Sequence, residues 1–193
     1  MNTKGYHIIL GSGSPRRKEL LGELGFEFEV DTRNTFEEVY SEDTPQESIP
    51  EVLSEGKSLG FHRGLTDKEI LITSDTLVLC EGRVMGKPRD REDAADMLKG
   101  LSGKSHKVIT AVTIRNSERM KTVSDTSLVH FKDLTDSEID YYIDNYRPFD
   151  KAGAYGIQEW IGYIGIDRIE GSYFTIMGLP VHRVYELLLE FIG

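Results

Sequence analysis

The sequence predicts a mixed α/β fold, because segments typical of strands and helices alternate along the chain but hairpin signals interrupt that alternation. Residues 6–10 and 70–79 are apolar runs of the kind that form buried strands. The Glu-Gly pair at 81–82 has the composition of a tight hairpin turn, and residues 107–114 and 121–131 are expected to pair as strands. Because a hairpin joins antiparallel neighbours, a purely parallel sheet is not expected.

Capping residues mark where several helices begin and end. Ser14 is a favourable N-cap and Pro15 suits the first helical position, while Gly25 is typical of a helix end. Thr135 and Glu138 have the spacing of a capping box. Together with periodicity, these signals predict helices at 15–24, 50–61, 90–100, 136–146 and 181–192, a polar loop at 32–46, and further strands at 26–30 and 161–169.

Composition limits the class of protein. The 193 residues contain no linker rich in Pro, Gly and Ser, so we expect a single domain spanning 1–193. The net charge of −10 argues against long nucleic acid as a partner, although a local basic pocket can still hold a phosphate chain. There is no signal-peptide core, no apolar run of bilayer length and only one cysteine, Cys80. We therefore expect a cytoplasmic protein with no membrane partner and no intrachain disulfide.

The first candidate binding segment is the Gly-Ser-Gly-Ser loop at 11–14, which precedes Pro15, Arg16 and Arg17. It lies between a predicted strand and a predicted helix, where free backbone N–H groups attract anions. Glycine and serine let a phosphate approach closely, and the arginines add positive charge. Taken alone, a capped helix with two surface arginines is the simpler explanation, because short glycine motifs recur by chance. The segment is neither a Walker A loop nor a dinucleotide fingerprint.

Asp75 interrupts an apolar strand, in which an ionised carboxylate is costly unless a partner stabilises it. A metal ion or a neighbouring lysine would supply that stabilisation. A bulge or a strand end that exposes the carboxylate to water would explain it equally well. Taken alone, Asp75 is as consistent with a structural role as with a catalytic one.

Two later segments combine a cation with small or turn-forming residues. Residues 86–90, Gly-Lys-Pro-Arg-Asp, place Lys87 on a loop whose direction the proline restricts. Residues 150–158 surround Lys151 and Gln158 with Ala and Gly. A solvated turn and a plain glycine-rich loop are the simpler explanations of each segment alone. The five histidines lack metal-ligand spacing, and nothing marks the single cysteine as a nucleophile.

Taken together, these segments resemble the Maf family of nucleotide pyrophosphatases. The resemblance runs from about Ile8 to the C-terminus and rests on GSGSPRRKELL, SDTLVL, GKPRDREDAADMLKGLSGKSHKV, DKAGAYGIQ and GSYFTIMGLP, in that order. It implies a twisted mixed α/β sheet with flanking helices and two lobes around a cleft, similar to the inosine triphosphatase type. It also implies a nucleoside triphosphate as the small-molecule substrate, cleaved between its α and β phosphates, a divalent cation, usually Mg²⁺, and often a homodimer.

The resemblance also assigns roles to single residues. The catalytic aspartate of the family matches Asp75, which with Glu38 would hold the cation, and Glu37 is the alternative register for the second acid. Asp75 would orient the attacking water, accept its proton or bind the metal that lowers the pKa of that water. The sequence does not separate these three roles. The substrate-binding residues match Ser12, Arg16, Arg17, Lys57, Thr76, Lys87, Lys151 and Gln158.

Base preference is expected to follow from three positions at which Maf subfamilies differ. This chain has SPRR, SDT and GIQ there, which is similar to the branch that acts on dTTP and UTP. Arg17, Thr76 and Gln158 would then set specificity, since an amide offers both a donor and an acceptor to a pyrimidine edge. The branch that prefers 7-methyl-GTP typically has a tryptophan where this chain has Arg16.

The chain departs from the family pattern in two places. Glu159-Trp160 follows the glutamine where a small residue is more usual, and this would alter the edge of the pocket. Gly56 lies within the second predicted helix, where glycine lowers helix propensity, and we expect it to serve structure.

Three other functions are weighed against a dTTP and UTP pyrophosphatase. They are a pyrophosphatase for modified nucleotides such as 7-methyl-GTP, a phosphatase that releases orthophosphate stepwise, and a non-catalytic nucleotide-binding regulator of septum formation. A regulator has no use for a water-activating carboxylate, so Asp75 favours an enzyme. Substrate range and the identity of the product separate the remaining possibilities.

Overall fold

The computed structural model describes all residues, 1–193, and confirms the mixed α/β class. The strands are β1 (His7–Leu10), β2 (Phe28–Val30), β3 (Glu69–Cys80), β4 (Arg83–Met85), β5 (Ser105–Arg115), β6 (Met120–Phe131) and β7 (Ile166–Glu170). The helices are α1 (Pro15–Glu23), α2 (Ile49–Leu59), α3 (Arg91–Leu101), α4 (Asp136–Tyr146), α5 (Trp160–Gly165), α6 (Tyr173–Met177) and α7 (Val181–Ile192). Short 3₁₀ turns lie at Gln46–Ser48 and Ala152–Ala154. No helix combines the length and the apolar character that crossing a lipid bilayer requires.

The sheet contains both parallel and antiparallel neighbours. Its strands follow the order β2-β1-β3-β5-β6-β7, and β4 pairs with β3 outside this path. β1 is parallel to β2 and β3, whereas β3 with β4 and β6 with β7 are antiparallel. The turn between β3 and β4 has positive φ at both Glu81 (49°) and Gly82 (77°), as a type I′ hairpin turn requires. The hairpin predicted at 81–82 is therefore confirmed.

The chain divides into two compact units. Unit 1 comprises Met1–Asp75, Thr110–Asp125 and Gly178–Gly193, and unit 2 comprises Thr76–Ile109 and Thr126–Met177. Strands β3, β5 and β6 contribute residues to both units. The expected single domain over 1–193, the cleft and the likeness to inosine triphosphatase stay predictions.

Unit 1 is built on buried strands. Ile8, Ile9 and Leu10 of β1 are at most 1% exposed, as expected of a strand with neighbours on both sides. The helix that follows begins as its sequence predicts, because the Ser14 side chain accepts a hydrogen bond from a backbone N–H of the first turn. Gly25 has φ of 74°, a conformation that glycine adopts without strain and that closes the helix. Local sequence therefore sets both ends of α1.

In unit 2, side-chain caps start α3 and α4. The Asp90 carboxylate accepts the backbone N–H of Asp93 at 2.9 Å, and Thr135 and Glu138 form the predicted capping box. The two helices lie side by side, and ion pairs join their exposed faces. These pairs link Arg91 to Asp140 and Asp144, and Lys99 to Asp136.

The strand predicted at 161–169 is wrong in its first half, which forms α5, and β7 supplies only the second half. Branched apolar residues favoured a strand in the sequence, but the buried positions are Ile161 and Gly165, spaced four residues apart as on one face of a helix. Gly162 lies so close to the preceding chain that a Cβ there would be 1.8 Å from the carbonyl oxygen of Ile157. This tight entry starts a helix where the composition suggests a strand.

His106 is buried in an aromatic cluster of unit 2. It is 1% exposed, and one ring nitrogen, Nε2, lies 2.7 Å from the Tyr155 hydroxyl. The His106 ring packs edge-on against the rings of Tyr155 and Phe131 at 5.4 and 5.2 Å. Burial lowers the pKa of His106 to about 4, with a smaller contribution from His130. The folded protein therefore holds this imidazole neutral at pH 7.

We expect the free energy of unfolding to decrease as pH falls from about 6.5 towards 4. In this range His106 binds a proton in the unfolded chain but not in the folded protein. This group alone accounts for a loss of about 2 kcal/mol in the free energy of unfolding between pH 7 and pH 5. Urea unfolding at the two pH values measures it. His106→Phe should be less stable at pH 7 and show a weaker pH dependence, whereas His182→Phe, at a half-exposed histidine, should keep the wild-type slope. An unchanged slope in His106→Phe would contradict this account.

Candidate functional site

Lys57 lies between two carboxylates of unit 1. Its Nζ is 2.6 Å from Asp75 Oδ1 and 3.0 Å from Glu38 Oε1. The three side chains come from α2, from β3 and from the loop at 32–46. The Asp75 side chain is 14% exposed, so it is shielded but still reached by water. The acid that contacts Lys57 is Glu38, which favours this register over Glu37.

Gly56 explains how the loop at 32–46 delivers Glu38. The Phe36 ring lies against α2 at this glycine, where a Cβ would be 2.2 Å from the ring. The Asn34 amide also donates a hydrogen bond to the Lys57 carbonyl oxygen at 2.6 Å. An aromatic ring and an amide thus fasten the loop to the helix. Gly56, which departs from the family pattern, therefore serves structure, as expected from the sequence.

Arg17 ties α1 to β3 and to the segment that precedes α7. Its Nε donates to the Gly178 carbonyl oxygen at 2.8 Å, and its Nη1 donates to the Ser74 carbonyl oxygen at 2.8 Å and to Ser12 Oγ at 3.4 Å. Burial lowers the pKa of Arg17, and the negative charge of Asp75 opposes that shift. A fixed positive charge therefore lies close to the residue that precedes Asp75 and acts electrostatically on Asp75 itself.

The loop at 11–14 runs tightly against β3. A Cβ on Gly11 would be 2.9 Å from Thr73 Cγ2, so this approach requires glycine. Ser12 is 9% exposed, and its hydroxyl accepts the backbone N–H of Ser14 at 3.3 Å. Arg16 is half-buried, and its charge acts on the neighbouring arginine. Unit 1 thus brings together Ser12, Arg16, Arg17, Glu38, Lys57 and Asp75 around the start of α1, the last turns of α2 and the middle of β3.

Unit 2 brings the two lysine-bearing loops against each other. The Gly153 backbone N–H donates to the Gly86 carbonyl oxygen at 3.0 Å, which joins the loop at 150–158 to the loop that carries Lys87. Gly153 has φ of 69° and lies close to the Val78 side chain, where a Cβ would be 3.1 Å from Cγ2. Lys87 is exposed. Gly153, close to Lys151 in the sequence, therefore allows the loop at 150–158 to pack closely against β3 and the loop that carries Lys87.

Lys151 is buried, although the sequence placed it among small residues as on an ordinary loop. Its side chain is 9% exposed, and Nζ lies 2.8 Å from Asp150 Oδ1 and 3.1 Å from Glu159 Oε1. Gln158 and Thr76 are half-buried. The Gln158 Oε1 atom is buried without a protein donor, which is costly for an amide oxygen unless another group binds it.

Two carboxylates contact Lys57. The chain contains no group of three or more His, Cys, Asp or Glu side chains placed to bind one metal ion. Sequence reasoning missed two residues that organise the site, Phe36 and Tyr142, and singled out Glu159 only as a departure from the family pattern at the pocket edge. Phe36 was hidden in a polar loop. Tyr142 acts through a side-chain contact with Glu159, 17 positions later in the chain, which leaves no local signal.

The chain is similar to known proteins along nearly its whole length. A model of the Maf-like protein class matches residues 7–191, and the chain belongs to the Maf family. A dTTP/UTP pyrophosphatase of Porphyromonas gingivalis is 49% identical over 192 residues, which cover 98% of this chain and 96% of the relative. Proteins of the same name from Christiangramia forsetii and Bacteroides thetaiotaomicron are 47% and 48% identical, covering 98% and 95% of this chain and 96% and 95% of their own lengths.

Gly56→Ala should lower the free energy of unfolding by about 1–2 kcal/mol, because the clash with Phe36 outweighs the roughly 1 kcal/mol of helix propensity that alanine adds. In a Phe36→Ala background the clash is gone, so the same substitution should become stabilising. Urea unfolding of the single and double variants measures this change of sign. Gly22→Ala, where a Cβ meets nothing closer than 4.0 Å, is the matched control and should stabilise in both backgrounds. A stabilising Gly56→Ala in the wild-type background would refute the contact.

Proposed function

We propose that this protein hydrolyses dTTP and UTP to the nucleoside monophosphate and pyrophosphate. The observation that carries the proposal is the water-accessible Asp75, held by Lys57 beside a second carboxylate, in a member of the Maf family. Relatives that are 45–49% identical over at least 95% of this chain bear the name dTTP/UTP pyrophosphatase. We include a cytoplasmic location and a homodimer in the proposal, on the family resemblance alone.

In this proposal, Asp75 activates the attacking water. Its Oδ1 is fixed by the Lys57 ammonium at 2.6 Å, so the carboxylate has one orientation before substrate binds. A water hydrogen-bonded to this carboxylate gives up its proton to it while its oxygen bonds to the α-phosphorus. The bond between that phosphorus and the oxygen bridging to the β-phosphorus breaks, and pyrophosphate leaves with the electron pair.

Hydrolysis builds negative charge on the leaving pyrophosphate, and the cationic side chains stabilise it. Arg17 is held in place by three hydrogen bonds, so its charge is fixed before the reaction begins. Arg16 and Ser12, on the same loop and helix start, would bind phosphate oxygens together with the backbone N–H groups. We assign Lys57, Lys87 and Lys151 to the phosphate chain as well, in line with the resemblance.

The residues around Lys57 fit a magnesium ion. Glu38 and Asp75 come from separate elements but lie within 3.0 Å of one ammonium, so the two carboxylates converge. Mg²⁺ typically takes one or two carboxylates and completes its shell with waters and substrate phosphates. Asp75 and Glu38 would hold the ion, which when bound neutralises phosphate charge.

Base recognition is assigned to Gln158 and Thr76, with Arg17 as the third specificity residue. A pyrimidine edge presents both donors and acceptors, and the Gln158 amide can pair with both. Its buried Oε1 has no protein donor, so a donor from the base would satisfy it. The names of the relatives, dTTP/UTP pyrophosphatase, support a pyrimidine over the purine and 7-methyl-GTP alternatives.

A panel of nucleoside triphosphates with identification of the product tests the proposal. We expect turnover of dTTP and UTP above all others, pyrophosphate rather than orthophosphate as product, and loss of activity in EDTA that Mg²⁺ restores. Preference for 7-methyl-GTP would shift the substrate assignment, and orthophosphate release would indicate a stepwise phosphatase. Tight nucleotide binding without turnover would indicate a regulator.

Asp75→Asn should lower kcat for dTTP by about 1,000-fold or more, because the amide cannot accept the proton of the water. The fold should persist, as judged by circular dichroism, because the amide oxygen still accepts a hydrogen bond from Lys57. Asp43→Asn, at an exposed aspartate in the same unit, is the control and should retain full activity. Activity of Asp75→Asn within a few fold of the wild type would remove the assignment.

Gln158→Ala should raise KM for dTTP and UTP by about 10-fold, which corresponds to the loss of a base-directed hydrogen bond. The preference for pyrimidine over purine triphosphates should weaken in the same variant. Steady-state kinetics on the nucleotide panel measure both effects, with Gln46→Ala as a control at the other glutamine of the chain. An unchanged substrate profile would show that the base is read elsewhere.

A further inference from the structure

We propose that Glu159 is a positioning residue that fixes the Lys151 ammonium for phosphate binding, and that Tyr142 in turn fixes Glu159. The inference rests on the proposed function, in which Lys151 binds the phosphate chain. It assigns a role to Glu159, at a position where Maf proteins more often have a small residue.

The two carboxylates that contact Lys151 differ in exposure. Glu159 is 19% exposed, whereas Asp150 is 56% exposed. An exposed carboxylate can swing into water when an anion arrives, but a half-buried one stays beside the ammonium, because moving it would break its other contacts. A phosphate would therefore displace Asp150, and Glu159 would remain as the partner that aims Lys151.

Tyr142 holds the second oxygen of the glutamate. It is completely buried, and its hydroxyl donates a hydrogen bond to Glu159 Oε2. The same hydroxyl accepts the Gly156 backbone N–H at 3.0 Å. Burial, reinforced by the negative charge of Glu159, raises the pKa of Tyr142 well above its usual value, so the hydroxyl stays a donor throughout the physiological range. With one oxygen occupied by Tyr142, the other is left to face Lys151.

Gly156 allows this assembly to close. A Cβ at this position would be 2.9 Å from Glu159 Cδ and 3.1 Å from Lys151 Cε. Glu159 is also the N-cap residue of α5, yet its side chain makes no capping hydrogen bond. The carboxylate turns instead to Tyr142 and Lys151. Backbone and side chains of the 150–159 segment are thus organised around one ion pair.

A positioned ammonium has a chemical advantage over a mobile one. A free lysine side chain samples many rotamers, and binding a phosphate would have to order it at that moment. Glu159 orders it beforehand, so the interaction with the developing charge needs no rearrangement. A merely structural ion pair would stabilise the fold without acting through Lys151, and this difference can be measured.

The test combines kinetics with epistasis. Glu159→Gln and Tyr142→Phe should each lower kcat/KM for dTTP by about 10- to 100-fold with the fold intact, and Lys151→Ala by about 100-fold or more. Because Glu159 acts through Lys151, adding Glu159→Gln or Tyr142→Phe to Lys151→Ala should cost no further activity. Glu81→Gln, which removes the exposed carboxylate partner of Lys104 in the same unit, is the matched control and should leave kcat/KM unchanged.

A readout that does not depend on activity completes the test. In ¹H–¹⁵N spectra of the lysine ammonium groups, the signal missing from Lys151→Ala identifies Lys151. That signal should be sharp in the wild type and should broaden or shift in Glu159→Gln and Tyr142→Phe. An unchanged signal, or an equal further loss of activity in the Lys151→Ala background, would overturn the inference. A wild-type protein that hydrolyses no triphosphate would sink the proposed function, and the spectra alone would then decide whether Glu159 fixes Lys151.

Discussion

The candidate site of unit 1 depends on one ammonium group between two carboxylates. Asp75 and Glu38 would repel each other if they were brought together alone, and Asp75 lies in an apolar strand where an unpaired charge is costly. Lys57 offsets both costs, at 2.6 Å and 3.0 Å from the two acids. With Lys57 in place, an acid on a buried strand is paired and oriented at a point that water reaches.

The same arrangement recurs in unit 2. There the central group of the ion pairs is again a lysine, Lys151, but it is more deeply buried than Lys57, at 9% against 17% exposure. A buried cation needs a partner that does not leave, and Glu159 meets that need with the help of Tyr142. Both units therefore use a lysine held by carboxylates, one beside the candidate catalytic aspartate and one on the loop that also carries Gln158, the residue assigned to base recognition.

Glycines decide how closely the loops approach these groups. Gly56 admits the Phe36 ring against α2, and Gly156 admits Lys151 and Glu159 to each other. A Cβ at either position would lie within 3.0 Å of its neighbours. Helix propensity alone makes Gly56 look like a weakness of the helix, yet the tertiary structure needs it. Propensity is a property of the isolated segment, and a contact with a residue 20 positions earlier in the chain overrides it.

The sequence by itself determined the features that depend on neighbours along the chain. The cap at Ser14, the capping box at Thr135 and the hairpin turn at 81–82 each involve groups within a few residues, so local chemistry fixes them. Family motifs added the site residues as expectations. Only the tertiary structure decided that residues 160–165 form a helix and that Glu159 turns towards Lys151. Both outcomes depend on contacts that form only when the chain has folded, the close approach of Gly162 to Ile157 and the hydrogen bond from Tyr142 to Glu159. Composition and periodicity do not encode such contacts.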